Sequence, residues 1–265
     1  AMNADSLQAS ILLPAFAAGL LVLASHVPLG TDVLKRGIIF MDLAIAQFAG
    51  LGIIIAHSMG IGLGIGEENG NPAGWAVQLT AIMAALLGAL LLRWTEKHTP
   101  KHQEALIGAS FVVAACAAIL MLAKDPHGSE HMQELLVGQI LWSTWESLLP
   151  LAIMTAAVLG AWYMLRATRA APLAFYLLFA MIVTASVQVV GVYLVFASLI
   201  LPALAAGNRL WLAYATGITA YAAGLLGSAL FDLPAGATIV LMLAAVSLPV
   251  AAGSRREAPE NASRA

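Results

Sequence analysis

"SVQVVGVYLVFASLILPALAAGNR", residues 186–209, holds between Gly191 and Pro202 a run that is too apolar for a loop and too short for an ordinary membrane span. A helix needs about 20 apolar residues to cross the hydrocarbon of a bilayer, and here Gln188, Gly191 and Pro202 confine the apolar run. Glycine and proline near the ends of such a segment point to a broken helix. Membranes tolerate one only where neighbouring protein or a water-lined cavity satisfies the freed backbone groups. A tight helical hairpin packed for shape alone is the competing reading. Whether the segment crosses decides the topology of everything that follows it.

The rest of the chain has the same character. Of its 265 residues 61% are apolar and 10% charged, with mean hydropathy +0.90, far from the composition of a soluble domain. Eight further runs approach span length: 11–27, 38–56, 73–92, 105–123, 148–165, 173–187, 210–230 and 235–252. The pattern predicts an all-α polytopic membrane protein with eight to nine transmembrane helices, the short broken one falling at 189–206. Residues 1–252 are expected to form a single transmembrane domain and 253–265 a disordered cytoplasmic tail. No long soluble segment interrupts the spans, so an energy source is expected in a partner or an ion gradient. The start, "AMNADSLQAS", lacks the basic region of a cleavable signal. Lone Cys116 excludes an intrachain disulfide, and a formal charge of −2 gives no reason to expect a nucleic acid partner.

Short cytoplasmic loops carry the excess of Lys and Arg. Threading nine spans in order puts eleven of the twelve basic residues on one side, at Lys35 and Arg36, Arg93, Lys97 and Lys101, Arg166 and Arg169, Arg209, and Arg255, Arg256 and Arg264. Only Lys124 falls opposite, among Glu67, Glu68, Asp125, Glu130, Glu134 and Asp232. The N-terminus is therefore expected outside and the C-terminus inside. Without 189–206 as a crossing, Arg209 and the later basic residues would flip.

Five stretches in order then carry a family resemblance. They are "KRGIIFMDLAIAQFAGLG", "EALIGASFVVAACA", "ELLVGQIL", "VQVVGVYLVFASLILPALAA" and "FDLPAGATIVL". Together they span about 36 to 252 and resemble the permease subunit of bacterial zinc- and manganese-type ABC importers. Each stretch is mostly Gly and aliphatics, so the order and spacing carry the match. The resemblance implies a homodimer of permeases in the bacterial inner membrane, embedded in lipid around a central pathway. It implies a cytoplasmic ABC ATPase dimer below and a periplasmic solute-binding protein above. The cargo would be a divalent metal such as zinc, manganese or iron. The chain itself would then be a transport subunit and not an enzyme, with ATP bound by the partner and no covalent cofactor.

Polar residues inside apolar runs mark candidate pathway positions, because burying them in lipid is costly. These are Asp42, Gln47, Gln139 and Gln188. Aligned on Phe40, Gln47 stands where the resembled family usually has a His, and Gln139 where it commonly has an Asp. Asp42 comes one residue before the usual Asp, which is Leu43 here. A Gln amide oxygen is a hard, neutral ligand ill suited to holding zinc tightly, so these residues either pass a cation loosely or serve as interhelical hydrogen-bond glue. Asp42 also reads as a partner for a helix N-terminus near the interface, and His26 as an interfacial side chain.

In the outer loop "KDPHGSEHMQE", His127, Glu130 and His131 offer two imidazoles and a carboxylate within five residues, a set suited to zinc; a solvated polar loop is the alternative, and Pro126 and Gly128 oppose a regular helix there. On the inner side Arg166, Arg169 and Arg209 are candidate ATPase contacts. The resembled family carries some twenty extra residues with a short coupling helix after the fifth span, whereas "YMLRATRAAPLAFY" joins the helices almost directly, so ATPase docking is expected to be weakened or relocated, with the loops at Arg93–Glu104 and Leu204–Trp211 as contributors. Two other functions compete with the importer: a permease of this architecture for a non-metal cargo, and a non-ABC, gradient-driven carrier.

Overall fold

The structure is a computed structural model that describes the backbone of residues 4–59, 72–122, 136, 138–206 and 209–262. Among these residues there is no strand. Nine α-helices follow one another among the described residues: α1 (Ala4–Arg36), α2 (Met41–Ser58), α3 (Pro72–His98), α4 (Gln103–Leu122), α5 (Trp145–Leu165), α6 (Ala171–Val190), α7 (Val192–Ala206), α8 (Leu210–Phe231) and α9 (Ala235–Ala262). One-turn 3₁₀ helices stand at Pro100–His102 and Ile140–Trp142. Seven of the nine are long and apolar enough to cross a membrane, and two shorter apolar helices cover Met41–Ala56 and Val192–Ala206. The chain is an all-α, multi-pass membrane protein.

The first span runs further than hydropathy indicates. Pro28 lacks an N–H and so leaves the carbonyl four residues back, that of Ala24, without its helical donor. The Tyr214 hydroxyl of α8 donates to that carbonyl at 3.2 Å, and α1 continues through Pro28 to Arg36. His26 consequently lies inside the helix and is fully buried, not at an interface. At the other end, α9 remains helical to Ala262, where a disordered tail was expected from 253; Arg, Glu and Ala, which fill much of this stretch, are good helix formers.

The chain divides into two compact units interleaved in sequence: Ala1–Gly37, Leu136–Ala156 and Ser186–Ala265 form the first, Ile38–Leu135 and Ala157–Ala185 the second. In the first unit α1 packs on α7 and α8, and α9 packs on the same two helices. Lipid is as apolar as the side chains, so such contacts depend on close packing across small residues. Gly30 of α1 lies against the backbone of Leu199 in α7, where a Cβ would stand 3.0 Å from the Leu199 carbonyl carbon. Gly19 receives the ring of Tyr221, and Tyr221 in turn hydrogen-bonds Ser198 at 2.8 Å. Gly224 of α8 accommodates Ile239 of α9.

In the second unit α2 packs on α3 and α4. A Cβ at Gly52 would meet Ala84 at 2.7 Å and the Thr80 carbonyl at 2.8 Å, while Gly88 receives the Phe48 ring. Trp162 packs edge-on against Phe175 at 5.5 Å, and Phe175 stacks on Phe179 at 5.5 Å.

Candidate functional site

Asp42 lies in the first turn of α2 and is 1% exposed. Its Oδ1 accepts the N–H of Leu43 at 2.8 Å, which uses the carboxylate at the positive end of the helix. Gln47 is 7% exposed. At about 100° per residue, the five-residue offset puts Asp42 and Gln47 roughly 140° apart around α2. The stripe of Phe48 and Gly52 that faces α3 lies in the wider arc, roughly 220°, between them. The two side chains therefore flank that stripe on either side.

Gln139 and Gln188 belong to the other unit. The chain turns at Gly138 with φ +69 and breaks between α6 and α7 at Gly191 with φ +82, a backbone region that glycine enters without strain. The two irregular points touch: a Cβ on Gly138 would overlap the backbone of Val190 and Gly191. Gln139, the next residue, and Gln188, three residues before the break, thus lie beside the same junction, and both are exposed. The Gln139 carbonyl accepts the N–H of Trp142 at 2.9 Å. Backbone that leaves helical geometry at two touching points within apolar sequence is the local structure expected of a pathway lining.

His127, Glu130 and His131 lie outside the described residues. Arg166 and Arg169 sit exposed in the turn between α5 and α6, where the Arg166 guanidinium covers the Tyr163 ring at 4.3 Å. Arg209 is exposed at the start of α8. Among the described residues no group of three or more His, Cys, Asp and Glu could hold a metal ion together.

Three polar features escaped the sequence. His26 is one: its Nδ1 lies 2.9 Å from the Val22 carbonyl and 3.0 Å from Ser25 Oγ, and its Nε2 is buried without a hydrogen-bond partner. Gln103 is another, 6% exposed although it follows Lys101 and His102; its Nε2 donates to the Leu92 carbonyl at 3.0 Å and its Oε1 accepts from Thr95 at 3.1 Å. Glu104 is the third, with Oε1 accepting the N–H of Phe40 at 3.2 Å. A polar residue at the very start of an apolar run, directly after a basic loop, was the available signal for the last two.

The sequence profile of the ABC 3 transport family matches residues 8–168 and 167–253. The two pieces meet inside the turn between Leu165 and Ala171. An uncharacterised membrane protein of Cyanophora paradoxa, from the ycf23-apcF intergenic region, is 26% identical over 235 residues, which cover 79% of this chain and 77% of that protein. Two solved structures share the fold. PsaBC from Streptococcus pneumoniae, in complex with Fab, matches with a TM-score of 0.67 at 20% identity, over 91% of this chain and 89% of its own. An inward-facing ABC transporter of metal-chelate type matches with a TM-score of 0.62 at 17% identity, over 94% and 88%. With the profile matched along nearly all of its spans, this chain belongs to the ABC 3 transport family and is a membrane-spanning ABC permease.

Proposed function

We propose that this permease forms the membrane pathway of an ATP-driven importer for a divalent metal ion, with zinc the favoured cargo and manganese and iron the alternatives. The observation that carries the reading is the junction of the Gly138 turn with the Gly191 break, which brings Gln139 and Gln188 to irregular backbone within a membrane domain. The buried carboxylate of Asp42 and the amide of Gln47 supply further polar positions on α2. Neutral amides bind a cation weakly, and conduction needs sites that release what they bind. The metal-chelate type of one solved relative supports a metal cargo. His127, Glu130 and His131, on the side expected to face outward, would suit zinc handed over by a periplasmic solute-binding protein.

Hydrolysis of ATP belongs, on this reading, to a cytoplasmic ABC ATPase dimer, and two permeases pair around the pathway in a bacterial inner membrane. Arg166, Arg169 and Arg209 offer exposed charge to that ATPase. One observation favours a second reading, a non-metal cargo: Gln47 and Gln139 are neutral amides where the resembled family has ionisable ligands. The deciding experiment is zinc and manganese uptake in a host deleted for its own importers. The permease operon is compared with its Gln47→Ala, Gln139→Ala double variant. Uptake that collapses in the variant supports the pathway; no uptake from the wild type moves the assignment to the other cargo.

A further inference from the structure

A partner that drives transport from the cytoplasm must move helices through surfaces it can touch. The basic side of the chain offers few of these. The turn between α5 and α6 spans only 166–170, and its Arg166 lies back over Tyr163. The corner between α3 and α4 is different. Lys97, His98, Thr99, Pro100, Lys101 and His102 form an uninterrupted exposed stretch, partly wound as the 3₁₀ turn Pro100–His102.

Immediately behind that stretch the corner is tied down. Gln103 is buried and bridges the end of α3 through the Leu92 carbonyl and Thr95. Glu104 reaches across to α2 and accepts the Phe40 N–H, while its second carboxylate oxygen is buried without a hydrogen-bond partner. A partly exposed carboxylate with one oxygen unpartnered is a poor source of stability, so its consequence is positional: it ties the start of α2 to the start of α4. Asp42 follows two residues after Phe40, and Gln47 lies about 10 Å along the same helix. A helix transmits displacement along its axis, so a push on the corner reaches both side chains.

We propose that the exposed corner Lys97–His102 is the surface on which the ATP-hydrolysing subunit acts, and that the Glu104–Phe40 tie carries its movement into α2. This rests on the importer reading above. The exposed cations Lys97 and Lys101 would fit an acidic groove on that subunit; Arg93 is already paired with Glu96. Arg166 and Arg169 would then add attraction without transmitting force.

The test uses the permease purified from its host with the ATPase that accompanies it. In a Cys116→Ser background, Lys101→Cys treated with a short thiol crosslinker is expected to capture the ATPase, whatever the cargo. In proteoliposomes, Glu104→Ala is expected to retain the ATPase and its hydrolysis while zinc or manganese moved per ATP falls about tenfold or more. Glu104→Gln, whose amide oxygen can still accept the Phe40 N–H, is expected to recover part of that yield. Capture from Arg169→Cys but not from Lys101→Cys overturns the proposal, as does an unchanged yield per ATP in Glu104→Ala. A wild-type permease that retains no ATPase overturns the importer reading and the proposal with it. Wild-type protein that is captured but moves neither metal overturns only the metal cargo and supports the docking surface.

Discussion

Replacing Gly138 by alanine attacks the junction of the two irregular points directly. The residue has φ +69, where an L side chain costs about 1–2 kcal/mol. The added methyl also meets the backbone of Val190 and Gly191, which cannot rotate away as a side-chain tip would. Overpacking of this kind costs roughly 1–3 kcal/mol. The sum, about 2–5 kcal/mol, shifts the population of the seated turn by roughly 30- to several thousand-fold, at ~1.4 kcal/mol per factor of ten. The control is Gly160→Ala in α5, where a Cβ meets nothing within 4 Å and helix propensity improves by up to ~1 kcal/mol. Thermal unfolding in detergent, followed by size-exclusion fluorescence, is expected to separate the two variants in opposite directions, and metal uptake to fall only in Gly138→Ala. Equal stability and equal uptake for the pair would refute the seating of the turn against the break.

Three other outcomes are expected. Tyr214→Phe removes the donor to the carbonyl that Pro28 leaves open and should lower stability by about 0.6–2 kcal/mol, measured in detergent against Tyr193→Phe, whose side chain is exposed. Gln103→Leu should loosen the α3–α4 corner by about 1–3 kcal/mol, read as faster amide exchange over 92–104; unchanged exchange would make the two hydrogen bonds incidental. Asp42→Asn keeps an oxygen for the Leu43 N–H, so α2 should stay folded while metal uptake drops about tenfold or more, the effect of losing one charged interaction of ~1.5–3 kcal/mol; full uptake would leave Asp42 only its role at the helix start.

The spans were legible because each apolar run is long enough to declare itself, and the break at Gly191 because a glycine interrupts one of them. What hydropathy could not read was continuation. It ended the first span at the close of the apolar run before Pro28, and nothing local to α1 reveals that Tyr214, far along the chain, supplies the missing donor. The misplacement of His26 followed from that. Gln103 and Glu104 were hidden differently: they adjoin Lys97, Lys101 and two histidines, so composition assigned them to a solvated loop, while their partners are a carbonyl on α3 and an N–H on α2. Asp42, Gln47, Gln139 and Gln188 stood out by cost alone. Cost identifies an unusual residue but not its neighbours, so the shared junction of Gln139 and Gln188 needed coordinates.

The interleaving of the two units also governs how the protein is made. Helix α1 emerges first, yet the surfaces that fit it, Leu199 of α7 and Tyr221 of α8, are synthesised after five further helices. At ~5–20 residues per second this is a wait of roughly 10–30 s. During that interval Gly19 and Gly30 face no partner, and Ser25 and His26 stand in a helix that has nothing to bury them. Nascent α1 must therefore be held by the insertion machinery or by lipid until the last third of the chain arrives. Any truncation before α7 leaves the first helix without Leu199 and Tyr221 to pack on, while α2, α3 and α4 of the second unit are all present.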